Sequence, residues 1–546
     1  MNYTFQKILR GILIWLVLLM PLIIFSFHFS KEKPDFQGAY NDNSSKEPKS
    51  SSDHIYKWNE TWESAVSNEG NDIVIDDDQN IYITGESNSQ ILFLKYNSSG
   101  YLLWNKTWNE GSGECLCIDE KGNLYISGRI DEGDGWYNSD VFLLKCNASN
   151  GNILWSKTWG SDGQYYDKDV GYDICFDNNQ NRLYISGFTD TLIDSSFEKN
   201  YDLLLLVYNT SGVLLSNKTW NFSSNLSEVG RAIVIDTSGY IYIGGYEESF
   251  EYSFSDIILL RYNYSSENFN LLDRWLSSPY TYNKIFDLEI DDSGSIFATG
   301  SADNDCLLLK YDLLGTLQNH NTFDFGSGSE IILDEFNKLY IIGSKESDLF
   351  LLKCNSSLNL IWSKLWGYPT IENRAEGVTI DSSNNLYITG HTYDSPDDDL
   401  ILIKYEIDSD EDGLSNDDES NKYSTDPNLN DTDNDELLDG EEVLIYKTNP
   451  NENDTDNDLM PDGWEVLNNL NATKDDAYED KDDDNLLNYY EFTNNTKPNL
   501  NDTDNDELLD GEEVLIYKTN PNENDTDNDL MPDGWEVLNN LNATKD

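Results

Sequence analysis

Acidic residues near the carboxyl end of the chain are spaced in a way that suits a divalent cation. Asp408, Asp410 and Asp412 alternate along the chain, and Glu419 is the twelfth residue of the same run. In a loop of this kind the side chains at positions 1, 3 and 5 turn inward, position 7 offers its backbone carbonyl, and the glutamate at position 12 supplies two oxygens. These ligands favour Ca²⁺ over Mg²⁺, because Mg²⁺ takes a smaller shell and keeps its waters.

The same frame occurs six times, with loop starts 23, 23, 26, 22 and 23 residues apart, and every loop has Glu at position 12. Leu414 contributes only its backbone carbonyl to the predicted ligand set. The predicted ligands are Asp408, Asp410, Asp412, Leu414, Asn416, Glu419, Asp431, Asp433, Asp435, Asp439, Glu442, Asp454, Asp456, Asp458, Asp462, Glu465, Asp480, Asp482, Asp484, Asn488, Glu491, Asp502, Asp504, Asp506, Asp510, Glu513, Asp525, Asp527, Asp529, Asp533 and Glu536. Residues 498–546 repeat residues 427–475 without a change, so only four of the six loops are independent.

Position 6 of the frame departs from the expected pattern. Glycine is expected there because the turn is sharp, and only Gly413 of the first loop meets this expectation. The other five loops carry Glu436, Leu459, Asn485, Glu507 and Leu530. We expect these five loops to bind calcium more weakly, since a side chain strains the turn.

These loops resemble thrombospondin type 3 repeats in their bacterial and archaeal form, with the pattern Asp-Thr-Asp-x-Asp-x-x-x-Asp-Gly-x-Glu. The resemblance covers residues 408–546 and implies a calcium-binding repeat domain. Paired EF-hands fit less well, since about 11 residues between loops leave room only for short helices such as 441–446 and 463–470. A dockerin also fits less well, because it normally has two loops.

A disordered acidic tail is the alternative for residues 408–546, because 43 acidic residues there face only 7 basic ones. Few apolar residues are available to form a core, among them Leu437, Leu444 and Leu467. Packing alone therefore cannot offset the loss of chain entropy. We expect a tail that is extended and mobile without calcium and rod-like with it.

The overall charge excludes one large class of function. Asp and Glu number 102 against 35 Lys and Arg, a formal net charge of −67, whereas binding to a phosphate backbone requires a basic surface. We therefore expect no nucleic-acid partner. The 4 His residues are scattered, and no nucleophile elbow, phosphate loop or His-Glu zinc motif occurs. We find no catalytic residues and expect no enzymatic activity.

The segment before the acidic loops is built from a repeated phrase. An aromatic residue, Ile or a similar residue, any residue and then Gly recur seven times, ending at Gly85, Gly128, Gly187, Gly245, Gly300, Gly343 and Gly390. A short strand ending in Asp precedes the phrase, and an apolar strand and a Trp-bearing strand follow it in most copies. Four strands per unit of about 50 residues are typical of propeller blades. The sequence predicts an all-β fold, with a seven-bladed β-propeller over residues 55–407 and an elongated calcium-loop tail over residues 408–546.

The two ends of the propeller segment predict how the ring closes. The seventh unit stops at Tyr405 without a Trp-bearing strand. A strand of that kind stands at the other end of the segment, over residues 55–62, with Trp58 and Trp62. We expect this strand to complete the last blade and to hide the sheet edges at the seam.

The pattern Asp-x-x-Gly-Asn-x-Tyr-Ile-x-Gly, followed by Leu-Leu-Lys-Tyr and a Trp, resembles the β-propeller repeat family called SBBP. The resemblance covers about 350 residues and implies an extracytoplasmic propeller without a fixed enzymatic activity. It supplies no catalytic residues. The 6 Cys fall on strand positions that other repeats fill mostly with apolar residues, so we expect thiols packed in the core.

An export signal or a membrane anchor is predicted at the N-terminus. Lys7 and Arg10 precede an apolar run over residues 11–29, which is about as long as a bilayer core requires. Residues 1–30 form either an uncleaved transmembrane anchor or a cleaved signal peptide, and no small-residue cleavage site follows the run. Residues 31–54 are predicted to be a flexible linker. Both alternatives place the rest of the chain outside the cytoplasm.

The function predicted from these features is that of a binding and structural protein. We expect an extracellular, cell-surface protein that is anchored to the membrane or secreted. The propeller would be an interaction platform on a calcium-stiffened stalk, with a role in adhesion or surface structure. Long insertions with aromatic and acidic residues predict a surface glycan or protein as partner on one face, unless these aromatics only pack on their own blade.

An extracytoplasmic propeller enzyme that acts on carbohydrate, as a lyase or hydrolase, is the alternative function. It requires two converging carboxylates in a concave pocket of the propeller. Insertion-face acids such as Asp131, Asp190 and Glu248 are candidates. Because the chain stops within a repeat at Asp546, we also expect further loops or a terminal domain after it.

Overall fold

A computed structural model describes residues 53–62, 66–131, 138–160, 168–192, 199–222, 226–249, 254–275, 282–367, 371–394 and 397–545. The predicted signal or anchor, residues 1–30, and the predicted linker up to residue 52 lie outside these residues. Within the described part of the chain, no helix is long and apolar enough to cross a membrane.

Antiparallel β-strands dominate the described residues before residue 408. Five sheets of four strands have the orders β1(His54–Trp62)-β27(Asp397–Ile407)-β26(Leu386–Asp394)-β25(Glu372–Ile380), β12(Leu214–Trp220)-β11(Lys199–Asn209)-β10(Arg182–Leu192)-β9(Val170–Asp177), β13(Ser227–Ile235)-β14(Ile241–Ser249)-β15(Phe254–Asn263)-β16(Asn268–Trp275), β17(Asn283–Ile290)-β18(Ile296–Ala302)-β19(Asp305–Tyr311)-β20(Leu317–Phe323) and β21(Ser327–Leu333)-β22(Leu339–Lys345)-β23(Asp348–Cys354)-β24(Leu360–Trp366). A sixth sheet has seven strands, in the order β2(Asn68–Ile75)-β3(Ile81–Ser87)-β4(Gln90–Tyr96)-β5(Leu102–Ile118)-β6(Asn123–Asp131)-β7(Ser139–Asn147)-β8(Ile153–Trp159).

The sheets are arranged as a closed ring. Strand β5 is the middle strand of the seven-stranded sheet and connects its two halves. Its first part, Leu102–Glu110, pairs with β4, and its second part, Gly111–Ile118, pairs with β6. Strands β2, β5, β9, β13, β17, β21 and β25 pack side by side in this order, and β25 packs against β2. The described chain before residue 408 is therefore an all-β, propeller-like fold.

The predicted closing strand is confirmed. Strand β1 pairs antiparallel with β27, with Trp62 opposite Leu400, and it starts at His54. Asp53 secures its start, since the carboxylate accepts hydrogen bonds from Lys353 and from Trp362 Nε1 (2.9 Å). Although burial opposes ionisation, hydrogen bonds from His54 and Lys353 lower the pKa of Asp53 below its ordinary value.

In five of the seven copies of the repeated phrase, the Tyr hydroxyl donates a hydrogen bond to the Asp of the preceding turn. In the first copy, Asp76 Oδ1 accepts a hydrogen bond from the backbone of Asn80 (2.8 Å), and Tyr82 Oη donates to Asp76 Oδ2 (2.8 Å). Lys95 of the adjoining strand lies over the Tyr82 ring, 4.8 Å from its centroid. Asp in the turn, Tyr in the next strand and Lys in the following one thus hold each other in place, which accounts for the sequence pattern.

The glycine that ends each phrase is required by a close backbone approach. The inner strand has a register shift beside it, and a Cβ on Gly187 would lie 1.9 Å from the carbonyl oxygen of Val170. Gly85 meets the carbonyl of Glu69 at the same distance. Only glycine leaves room for this bulge.

The hydrophobic core lies between neighbouring sheets. One cluster, for example, joins Tyr125 and Leu143 of one sheet to Leu183 and Leu206 of the next. All 6 cysteines have free thiols, and four of them are buried while Cys117 and Cys175 are half-buried. The prediction that the thiols pack in the core is confirmed for the four buried ones.

Short helices alternate with loops after residue 408. They are α1 (Asn416–Asp418), α2 (Asp439–Glu441), α3 (Asp462–Leu467), α4 (Asn488–Asn494), α5 (Asp510–Glu512) and α6 (Asp533–Leu538). Single π-helical turns over Glu419–Tyr423, Glu442–Tyr446 and Glu513–Tyr517 extend α1, α2 and α5. The two helices expected over 441–446 and 463–470 are present with shifted ends, because each begins at position 9 of its loop.

Replacing a phrase glycine will destabilise the propeller far more than replacing a turn glycine. Gly187→Ala is expected to lower the free energy of unfolding by about 3 kcal/mol or more, because the added methyl group meets backbone. Gly122→Ala is the control, since Gly122 has a positive φ but nothing within 4 Å, and it should cost about 1 kcal/mol. Urea unfolding followed by circular dichroism measures both. Equal losses in the two variants would contradict the close approach.

Candidate metal centres

The acidic frame gathers carboxylates within each loop. Asp408, Asp410 and Asp412 each present an oxygen within 4.8 Å of the others, and so do Asp454, Asp456 and Asp458. Asp431, Asp433 and Asp435 form a third such group. The predicted alternation at positions 1, 3 and 5 therefore produces real clusters of oxygen ligands.

Backbone conformation at positions 4 and 6 makes the loops turn. Asn434 and Asn457 at position 4 have φ of 62° and 64°, and Glu436 and Leu459 at position 6 have φ of 76° and 78°. At position 6, Glu and Leu thus adopt the positive φ that favours glycine, which costs backbone strain. Asparagine at position 4 tolerates a positive φ more readily. The N–H at position 6 donates to the carboxylate at position 1, as from Leu459 to Asp454 Oδ2 (2.8 Å).

Four of the six glutamates at position 12, Glu442, Glu465, Glu491 and Glu513, are buried with no hydrogen-bond partner for either carboxylate oxygen within the described residues. Glu465 and Glu491 are 0% exposed, and neither oxygen of either side chain has a hydrogen-bond partner within the described residues. Burial, together with the neighbouring aspartates, raises the pKa of Glu465 to about 9 and that of Glu491 to about 9. A buried carboxylate without donors costs several kcal/mol unless a cation or a proton meets it. The donor set, carboxylate oxygens in a shell, fits a hard divalent cation.

Carboxylates of the first two loops meet in one group. Asp439 at position 9 of the second loop lies with Asp412 and Glu419 of the first loop in one group of oxygens within 4.8 Å. The N–H of Gly440 donates to Asp412 Oδ2 (2.9 Å) across the same junction. The twelve-residue frame predicts that position 9 serves its own loop, and the structure places the Asp439 carboxylate against the loop before it as well.

Glycine at position 10 allows this stacking. A Cβ on Gly440 would lie 2.1 Å from the carbonyl oxygen of Asp412, and one on Gly463 would lie 2.3 Å from that of Asp435. Side chains at position 7, such as those of Leu414 and Met460, are buried. Neither role was predicted from the sequence, although the recurring Asp-Gly pair and the apolar residue at position 7 were visible signals.

Two neutral side chains in the predicted ligand set have other partners. Asn416 is half-buried, and its side-chain amide is hydrogen-bonded to Ser409. It accepts from the Ser409 backbone N–H (2.9 Å) and donates to the Ser409 hydroxyl (2.8 Å). Asn488 is buried and donates to the carbonyl oxygen of Asp476 (3.0 Å). Asp476, which no loop frame includes, is the further acidic residue that the sequence analysis missed.

The first loop is attached to the closing strand of the propeller. Lys57 Nζ lies 2.9 Å from Glu406 Oε2 and 2.6 Å from Asp418 Oδ2. The N–H of Asp408 donates to the carbonyl oxygen of Asp53 (3.0 Å). The acidic tail thus begins at a fixed position on β1.

The ring encloses a polar cavity of about 480 Å³. Inner-strand carboxylates line it and bridge sheets: Asp72 Oδ2 accepts from Leu116 N (2.7 Å), and Asp173 Oδ2 from Ile233 N (2.7 Å). Burial raises the pKa of Asp72 to about 7 and that of Asp173 to about 6. Arg231 enters the same cavity, stacked 3.9 Å from the centroid of Tyr172.

Insertion-face candidates are only partly described. Asp131 pairs with Arg129 (2.7 Å), Glu248 pairs with Lys284 (2.9 Å), and Tyr201 packs on Phe188 with ring centroids 4.5 Å apart. These side chains are engaged within the propeller. Phe254, another aromatic residue of these insertions, is half-buried at the start of β15. The other aromatic residues of the insertions, Trp136, Tyr137, Tyr165, Tyr166, Phe197, Phe250 and Tyr252, lie outside the described residues.

Several solved structures are similar to the chain. The WD40 β-propeller domain of Doa1 is 13% identical with a TM-score of 0.42, and it covers 64% of this chain and 96% of its own. The RRP9 WD40 repeats are 11% identical with a TM-score of 0.43, covering 64% and 97%. A protein of unknown function from Dyadobacter fermentans is 8% identical with a TM-score of 0.42, covering 65% and 99%.

Sequence comparison identifies both repeat types. No curated protein matches the chain. The family model "Beta-propeller repeat" (SBBP) matches residues 66–93, and the model "Bacterial TSP3 repeat" matches residues 408–430, 431–452 and 502–523. The chain therefore combines, in this order, an SBBP-type β-propeller repeat segment with bacterial thrombospondin type 3 repeats.

Proposed function

We propose that the chain is an extracellular calcium-binding protein in which the tail is a calcium-stiffened stalk. The observation that carries this proposal is the set of buried position-12 carboxylates without donors, represented by Glu465 and Glu491. The residues that would hold calcium are the loop carboxylates given above, together with the position 7 carbonyls. Bound calcium would supply the positive charge that these oxygens need.

We propose further that the propeller has seven blades and acts as an interaction platform. The seven-stranded sheet divides at β5 into two four-stranded units, which with the five other sheets make seven. The attachment of the first loop to β1 supports a platform held at one end of the stalk. A surface glycan or protein is the proposed partner, and the chain would act without a chemical reaction.

The proposed location is the outer face of the cell membrane or the surrounding medium, with a role in adhesion or surface structure. The TSP3 match supports an extracellular site, because calcium there reaches the 10⁻⁴–10⁻³ M range at which extracellular modules bind. The proposed anchor or signal over residues 1–30 rests on the sequence alone. A glycan and surface-protein array, probed with the full chain in calcium and in chelator, tests the partner class.

Removing calcium will expose the tail to protease while leaving the propeller intact. The tail has few buried apolar side chains, so its fold depends on charge neutralisation, whereas the propeller core is apolar. Limited proteolysis of the full chain in EGTA should cut after residue 408 at least about tenfold faster than in 5 mM calcium. The same concentration of magnesium is the control. Equal cleavage in EGTA and calcium would refute the proposed stalk.

Calcium binding will release protons at neutral pH. Burial raises the pKa of Glu419 to about 8 and that of Glu465 to about 9, so these groups hold protons near pH 7 wherever the loops keep this fold before calcium binds. Their protonation stabilises the calcium-free fold, and this contribution is lost as pH rises from about 4.5 through 8 to 9. Calcium affinity should therefore rise across the same range.

Titration calorimetry at pH 7 in buffers of different ionisation enthalpy measures this release. The observed enthalpy should vary linearly with the buffer's ionisation enthalpy, with a slope that corresponds to proton release. Repeating the titration at pH 10, where the glutamates are ionised, should bring the slope near zero. A slope of zero at pH 7 would contradict the raised pKa values.

An extracytoplasmic enzyme acting on carbohydrate is the second candidate, favoured by the carboxylates in the propeller cavity. Asp173 has a raised pKa, as a general acid would, but it already accepts a backbone hydrogen bond from the next sheet. If the cavity were catalytic, Asp173→Asn would abolish turnover of a susceptible polysaccharide. We expect no turnover by the wild-type chain on a panel of polysaccharides, and reproducible cleavage that is lost in Asp173→Asn would favour the enzyme.

A further inference from the structure

The junction between the third and fourth loops breaks the regular spacing of the tail. The fourth loop starts 26 residues after the third, whereas the other intervals are 22 or 23. Its position 9 is Asn488 instead of aspartate, and its position 10 is Tyr489 instead of glycine. At the other junctions, the following loop carries an aspartate at position 9. From the twelve-residue frame, the third loop would receive no such carboxylate, because position 9 of the fourth loop is asparagine.

Regular junctions share one geometry. The position 5 aspartate of one loop accepts a hydrogen bond from the position 10 glycine of the next, as Asp435 Oδ2 does from Gly463 N (2.9 Å). At the first junction, the position 9 carboxylate of Asp439 joins Asp412 and Glu419 in one oxygen group. The incoming loop therefore supplies both a backbone donor and a carboxylate.

Asp476 reproduces both parts at the irregular junction. Its N–H donates to Asp458 Oδ2 (3.1 Å), as does that of Ala477 (3.0 Å). Its carboxylate lies with Asp458 and Glu465 in a group of oxygens within 4.8 Å of one another, and all three residues are buried. The three extra residues in the interval thus bring a different aspartate to the same place.

The surroundings of this group suit a bound cation. Glu465 is 0% exposed, and both its oxygens lack a hydrogen-bond partner in the described part of the chain. The hydrogen bonds that the Asp476 carboxylate accepts are long, 3.4 Å from Asn471 N and 3.5 Å from Asn488 Nδ2. Asn488 Nδ2 also donates to the Asp476 backbone carbonyl at 3.0 Å, which holds this residue in position. Protein N–H groups compensate the Asp458 carboxylate, whereas Glu465 receives no donor and Asp476 receives only the two long hydrogen bonds.

We propose that Asp476 is a calcium ligand that replaces the position 9 aspartate at this junction and completes a site with Asp458 and Glu465. This inference rests on the proposed function of the tail as a calcium-binding stalk. Asn488 is a positioning residue, since it holds Asp476 by its amide. The site bridges the third and fourth loops, so the stalk stays continuous across an interval that would otherwise be a hinge.

Equilibrium dialysis of the full chain with radioactive calcium tests this assignment. Asp476→Asn removes one charge at the site, and Asp475→Asn removes the same charge from the exposed residue beside it. We expect Asp476→Asn to bind one calcium ion fewer, or to bind it about tenfold or more weakly, while Asp475→Asn behaves as the wild type. Limited proteolysis in calcium should then cut Asp476→Asn between the third and fourth loops.

Melting curves separate a ligand from a merely structural residue. In chelator, Asp476→Asn should melt no lower than the wild type, because it relieves repulsion among carboxylates, yet calcium should raise its melting temperature less. If Asp476→Asn does not fold, Asp476→Glu keeps the charge at a longer reach and should bind calcium with lower affinity than the wild type.

Unchanged calcium binding in a folded Asp476 variant would overturn the assignment while leaving the stalk intact. Equal losses in the Asp475 and Asp476 variants would also overturn it, since charge alone would then explain both. A wild-type chain that binds no calcium would instead defeat the proposed function itself.

Discussion

The tail brings carboxylates closer together than their repulsion permits unless positive charge lies among them. Oxygens of Asp454, Asp456 and Asp458 lie within 4.8 Å of one another, and two unit charges at that distance repel by about 3.5 kcal/mol at an effective dielectric of 20. Backbone N–H groups offset part of this cost, as Gly463 does at Asp435. They do not reach Glu465, so the loop as a whole depends on a cation or on bound protons.

The propeller depends on a different kind of stabilisation. Its sheets are held by apolar clusters between neighbours and by the repeated Asp–Tyr contact, such as that between Asp76 and Tyr82. The two regimes meet at Lys57, which lies between Glu406 of the last strand and Asp418 of the first loop. Charge in the tail is therefore linked to the strand that closes the ring, and a change in the first loop acts directly on β1.

Sequence periodicity predicted the local structure well where contacts lie within one repeat. The closing strand was predicted because Trp58 and Trp62 supply what the seventh unit lacks, and β1 pairs with β27 as expected. The tail core was predicted only in part. Leu437 is buried as expected, but Leu444 and Leu467 are 54% and 74% exposed, and Met460 at position 7, which was not predicted, is 0% exposed. Burial there depends on how loops stack, and the period of a single loop does not contain that information.

By itself the sequence determined the fold class, the repeat boundaries and the grouping of Asp408, Asp410 and Asp412, because residues a few positions apart meet through local backbone geometry. Only the tertiary structure decided which loop's carboxylate meets which. It placed Asp439 beside Glu419, and it chose Asp476 over the residue in the expected frame position. The reason is that these carboxylate groups form between successive loops. Which carboxylates meet depends on the distance between stacked loops and on the close backbone approach at the position 10 glycine. The residue spacing within one loop determines neither the stacking distance nor this approach.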